Sequence, residues 1–175
     1  FGTVTVSAAS AVDASVPRTW LSWHYRSQDE SLIAFSNANY YKGRLSSFPA
    51  PLPAKPESGI NGHGVTFIHV PDGKFLRSGT GRALRTNPVE ANAIVEAVRA
   101  RFEASPTTDP SIGIVTFNIQ QRRLIEDLLR DLRLDRISQS LDSTHGLFVK
   151  NPANVQRDER APILFPTASR KTDQG

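Results

Sequence analysis

The chain has no cysteine, which excludes a disulfide scaffold and every thiolate metal site. It has no apolar run long enough to cross a bilayer and no signal-peptide pattern at its start, so a cytoplasmic protein without membrane contact is expected. Several catalytic signatures are missing as well. No GxxxxGK[ST] occurs, so the chain cannot by itself cradle a triphosphate in the P-loop manner. No GxGxxG follows a strand, and the lone "GTGRA" at 79–83 lies in a loop. His24, His63, His69 and His145 are scattered without an HExxH, so no zinc hydrolase and no metal site is expected. A G-x-S-x-G elbow is also absent. The chain carries no self-sufficient active site of these kinds.

What is present is an ordinary globular composition. The 175 residues are 38% hydrophobic and 22% charged, enough for one domain with a single core. Net charge is +4 and the isoelectric point about 9.8, with most of the positive charge on arginine. Arginine's planar fork suits phosphate, so nucleic acid or a nucleotide is an expected partner.

Along the chain, residues 1–18 are hard to assign and read as a loop or a marginal edge strand. Ser27 opens Ser-Gln-Asp-Glu, a capping box whose hydroxyl would accept the Glu30 N–H. A short helix carrying Leu32, Ile33, Phe35 and Ser36 follows, ending near Tyr40 with Gly43 as its stop. Residues 46–62 are rich in proline and read as a surface loop. "GVTFIHV" (64–70) reads as a buried strand, and 71–86 as a polar loop. Asn87 as N-cap, Pro88 at the first position and Glu90 at the third then mark a helix. Val89, Ile94, Ala97, Val98 and Phe102 give it an apolar face.

"SIGIVTF" (111–117) reads as a second buried strand. Asn118 and Gln121 cap a further helix with the stripe Leu124, Ile125, Leu128, Leu129 and Leu132. "GLFVKN" (146–151) and "PILFPT" (162–167) make two more strands, the last cut short by Pro166. Apolar strands alternating with helices predict an α/β three-layer domain with a mainly parallel sheet. In such sheets ligands sit beyond the carboxyl ends of the strands, here Thr116–Arg122 and Lys150–Arg160.

Three segments, taken together, resemble one family. "LSWHYRSQDESLIAFSNANYYKGRL" looks like the motif in which a Tyr-Arg pair precedes a helix in superfamily 1 DNA/RNA helicases of the Upf1-like kind. "IGIVTFNIQQRRLIEDLL" is similar to their strand–turn–helix with Thr and Gln-Arg, and "LFVKNPANVQRDERAPILF" resembles their motif V. The resemblance covers most of 20–175 and implies the second, C-terminal RecA-like (P-loop NTPase-like) motor domain. Residues 19–175 would then form part of that domain, with motif VI expected beyond Gly175.

The family sandwiches ATP and Mg2+ between two RecA-like domains, and both are held mainly by the first. The resemblance therefore implies Arg26 as a catalytic arginine finger, buttressed by Tyr25 and the tryptophans Trp20 and Trp23. Tyr25, Arg26, Gln156 and Glu159 would face the nucleotide. Thr116, Asn118, Gln121 and Arg122 would contact single-stranded DNA or RNA. The expected partners are that strand and the N-terminal RecA-like domain of the same polypeptide, and residues 1–175 alone are expected to be inactive.

This sequence departs from the family where the glycine after Gln156 is Arg157 and the aspartate after Arg160 is Ala161, and prolines stand at 152, 162 and 166. Those changes keep a second reading open, a degenerate domain serving as a nucleic-acid-binding or protein-interaction module. Simpler roles also stand beside the implied ones. Gln121 can be a cap, Thr116 a strand end, Trp20 and Trp23 packing residues, and Asp158–Arg160 a solvated turn.

Overall fold

The structure, a computed structural model, describes residues 19–27, 29–49, 64–77, 85–155 and 158–167. The chain forms two compact units. Described residues of the first lie within 19–49 and 64–65, and those of the second within 66–167. The segment 1–18 lies outside the described residues.

In the first unit, strands β1 (Trp23–His24) and β2 (Ser46–Ser47) run parallel, with Trp23 opposite Ser46 and His24 opposite Ser47. Helix α1 (Ser31–Tyr40) connects them. Ser27 does not cap it, contrary to the capping-box expectation. The helix begins four residues beyond Ser27, too far for a side chain that serves N–H groups two or three positions on. The Ser27 hydroxyl instead lies 2.7 Å from His24 Nε2, and Asp29 Oδ1 accepts the Ser31 N–H at 2.8 Å. The far end matches expectation. Gly43, at φ +69°, donates its N–H to the Asn37 carbonyl at 2.9 Å, a conformation that favours glycine. The Asn37 amide then exchanges two 2.9 Å bonds with the Leu45 backbone, turning the chain into β2.

The second unit holds α2 (Pro88–Ala104), β3 (Gly113–Val115), α3 (Ile119–Asp131), α4 (Asp135–Asp142), β4 (Phe148–Lys150), a 3-10 turn (Pro152–Asn154) and β5 (Ile163–Leu164). Its sheet is parallel, in the order β4-β3-β5. Gly113 faces Phe148 on one side and Ile163 on the other. A Cβ at Gly113 would come within 2.6 Å of the Phe148 ring, so only glycine lets that ring lie across the central strand. This is the α/β class with parallel strands that the sequence predicts.

The core follows helical spacing. Ala91, Val95, Val98 and Phe102 recur along α2, and Leu124, Ile125 and Leu129 along α3. They close over Ile112, Ile114, Leu147 and Val149 of the sheet region. Each fully buried aliphatic side chain contributes about 1.5–3 kcal/mol. Val89, expected on the α2 core face, is instead 41% exposed, because Ala91 begins the inward row two residues later.

Two expectations fail in this unit. Segment 64–70 forms no strand; Phe67 is 85% exposed and Ile68 53%. An apolar run becomes a buried strand only if a sheet edge takes up its backbone, and this one pairs with neither β4 nor β5. Conversely, α4 carries no prediction, although Asp135 in its first turn and the Ile137–Leu141 spacing mark it. Among the described residues no helix is long and apolar enough to cross a membrane.

Candidate functional site

At the carboxyl ends of β3 and β4 four polar residues are laced together. Thr116, fully buried, donates its N–H to the Lys150 carbonyl at 2.9 Å. Its hydroxyl lies 3.1 Å from the Asn118 carbonyl and 3.4 Å from Asn151 Oδ1. Asn118 caps α3, accepting the Gln121 N–H at 2.7 Å, while its Nδ2 donates to the Arg85 carbonyl at 3.0 Å. Gln121 is fully buried. Its Oε1 accepts the Asn87 N–H at 2.8 Å and its Nε2 donates to the Asn87 carbonyl at 3.1 Å. Through that amide the N-termini of α2 and α3 are held side by side at one edge of the sheet. Glu90, at the third position of α2, adds a third tie by accepting the Thr167 N–H just past β5 at 2.8 Å. The Glu90 carboxylate therefore serves the sheet edge, and the Asn87 N–H that a capping box would give it goes to Gln121 instead.

Arg122 lies one residue further along α3. Its Nε is 3.8 Å from Glu126 Oε2, yet that atom is buried and has no hydrogen-bond partner. A buried donor without a hydrogen bond costs about 1–3 kcal/mol, offset here in part by the Glu126 charge beside it.

The loop after β4 is anchored by an aromatic ring. Lys150 Nζ and the Arg160 guanidinium lie 4.9 and 5.0 Å from the centre of the Phe148 ring. Lys150 also pairs with Asp158 at 2.7 Å, and Arg160 donates to the carbonyls of Gly146, Thr144 and Glu159. Glu159 is exposed beside this anchor. Gln156 and Arg157 lie outside the described residues.

Tyr25 and Arg26 belong to the first unit, in the turn between β1 and α1. Tyr25 is 82% exposed and Arg26 is exposed. Trp20 and Trp23 are not core packing residues: both are more than half exposed. Trp23 stacks at 5.3 Å on Phe48, and Arg44 lies 5.3 Å above Trp20.

Among the described residues no group of three His, Asp or Glu side chains is placed to hold a metal. What the edge holds is a set of polar side chains bonded to one another, Arg122 beside Glu126, and a braced loop.

A model of the AAA domain family matches residues 6–174. The chain belongs to that family. Over 156 residues this AAA domain is 32% identical to an uncharacterized ATP-dependent helicase of Mycoplasma pneumoniae, and over 157 residues 31% identical to one of Mycoplasma genitalium. Each match covers 84% of the chain and 12% of the relative, so the AAA domain spans about an eighth of those proteins. No solved structure matches it. Its parallel α/β architecture is consistent with a RecA-like, P-loop NTPase-type domain.

Sequence reasoning reached Thr116, Asn118, Gln121 and Arg122 as a group, and the structure brings them together. It missed Asn151 and Arg85, which the fold delivers to Thr116 and Asn118 from 35 and 33 positions away. A local motif carries no signal for such pairings.

Proposed function

We propose that this AAA domain is the second RecA-like motor domain of an ATP-dependent superfamily 1, Upf1-like helicase or translocase. Thr116, Asn118 and Arg122 would touch the phosphates of single-stranded DNA or RNA, with Gln121 holding them in register through Asn87. Tyr25, Arg26, Glu159 and Gln156 would face ATP and its Mg2+, both held chiefly by an N-terminal RecA-like domain of the same protein. Arg26 would act as an arginine finger, its guanidinium stabilising charge on the transferring phosphate.

The observation that carries the reading is the constellation at the sheet edge. Thr116, Asn118 and Arg122 stand together at the strand ends, where a parallel sheet binds its ligands. The helicase names of the Mycoplasma relatives support it. The test is ATP turnover by the longer protein on single-stranded nucleic acid. Arg26→Ala should lower it about 10³-fold or more, the scale of a lost arginine finger. Residues 1–175 alone should turn over no ATP. If Arg26→Ala leaves turnover intact, or the longer protein binds strands without hydrolysing ATP, the domain is a binding module instead.

A further inference from the structure

Four described residues other than glycine have positive φ: Lys42, Asp72, Arg85 and Arg133. Three have local reasons. Lys42 and Arg133 directly follow the last turns of α1 and α3, where a left-handed residue ends a helix, and Asp72 lies in a Pro-Asp-Gly turn. Arg85, at φ +58°, is tied to residues distant in sequence, Leu76 and Asn118. Its conformation is imposed by its neighbours. Its N–H donates to the Leu76 carbonyl at 2.6 Å, and Leu76 donates back to the Thr86 carbonyl at 2.8 Å. Its own carbonyl accepts Asn118 Nδ2 at 3.0 Å. The next two residues, Thr86 and Asn87, are buried, and Asn87 is gripped by Gln121. Arg85 itself is exposed, and no described carboxylate pairs with it. A strained arginine is thus locked onto the same edge as Asn118, with its charge facing solvent.

We infer that Arg85 is a further phosphate-contacting residue of the single-strand path, adjoining Asn118 and Arg122. This rests on the nucleic-acid reading proposed above. Neither the motif resemblance nor the capping pattern assigns Arg85. A residue held in this way needs little backbone ordering on binding, because its N–H is already bonded to Leu76 and its carbonyl to Asn118. It would act as a point of charge on the backbone of the strand and would read no base.

The test uses residues 1–175 and a fluorescein-labelled oligothymidylate of about fifteen nucleotides, with anisotropy titrations across a range of salt. Arg85→Gly removes the guanidinium while keeping a residue at ease with positive φ, so the melting temperature should be equal or higher. Affinity should fall roughly fivefold, and the slope of log K against log salt should shrink by about 0.7, one phosphate contact. Arg85→Lys should retain most of that slope. Arg133→Gly is the control: it deletes the same charge at the same kind of backbone, but about 20 Å away at the other end of α3. It should leave the slope unchanged. If wild type binds and Arg85→Gly matches it in affinity and slope, or Arg133→Gly does equal damage, the inference falls while the nucleic-acid reading stands. If wild type shows no salt-dependent binding, both fall together.

Discussion

The two units of this chain contain the same kinds of residue and are held by different means. In the second, α2, α3 and the sheet close over a cluster of buried aliphatic side chains and Phe102. In the first, no described residue is buried, and α1 leaves Leu32, Phe35 and Tyr40 at least half exposed. Its order comes from polar clips: the Asn37 amide on Leu45, the Gly43 turn and the Asp29 bond to Ser31. Burial makes one unit cooperative. Local hydrogen bonds, each worth about 1 kcal/mol net, shape the other without giving it a core.

The largest expected effect tests this difference directly. Ile125→Ala or Leu129→Ala should destabilise the protein by about 2–5 kcal/mol in a denaturant titration, because each opens a cavity in a packed interior. Leu32→Ala, on the exposed face of α1, should change stability by less than about 0.5 kcal/mol. Similar losses in both units would mean that the first has a core of its own.

The same contrast explains which parts of the fold were legible. Asn87 and Asn118 announce α2 and α3 because a cap acts on a backbone N–H only a few residues away. The leucine stripe of α3 likewise needs only helical spacing. The strand expected at 64–70 failed because strand formation depends on a partner edge, which no apolar run specifies. At the site, Thr116, Asn118 and Arg122 lie within seven residues and travel together. The Asn87–Gln121 bridge joins residues 34 apart and was visible only as a question about Gln121. Arg85 carries no sequence mark at all, since nothing in an arginine announces positive φ.

A smaller effect isolates that bridge. Gln121→Leu keeps the volume but strands the Asn87 N–H and carbonyl, costing about 1–3 kcal/mol for each group left unbonded. Gln121→Glu keeps the acceptor for the Asn87 N–H and sets a carboxylate oxygen against its carbonyl. That variant should therefore recover as pH falls and the carboxyl regains a proton to donate, whereas Gln121→Leu should not. Denaturation curves at neutral and acid pH separate the two. A Gln121→Glu protein with no relative gain in acid would show that the amide's donor contributes nothing.

Next in size is the clip in the first unit. Asn37→Ala removes both bonds to Leu45 and should cost about 1–2 kcal/mol, unless the backbone groups it leaves find water. Hydrogen exchange at the Leu45 amide reads the change locally. Protection there should fall while that of Ile114, in the central strand, stays as it was.

The smallest effect decides between two residues for the start of α1. A capping box would make Ser27→Ala the costly substitution, whereas the geometry gives that role to Asp29, whose carboxylate takes the Ser31 N–H. Asp29→Ala should therefore cost about 0.5–2 kcal/mol and loosen the first turn, as removal of an N-cap acceptor does. Ser27→Ala loses only the contact with His24 and should cost less. Amide exchange at Ser31 and Leu32 reports on the first turn itself, so the ranking holds even if global stability is set by the second unit. If Ser27→Ala opens those amides more than Asp29→Ala does, α1 starts a turn earlier, directly after the Tyr25-Arg26 pair.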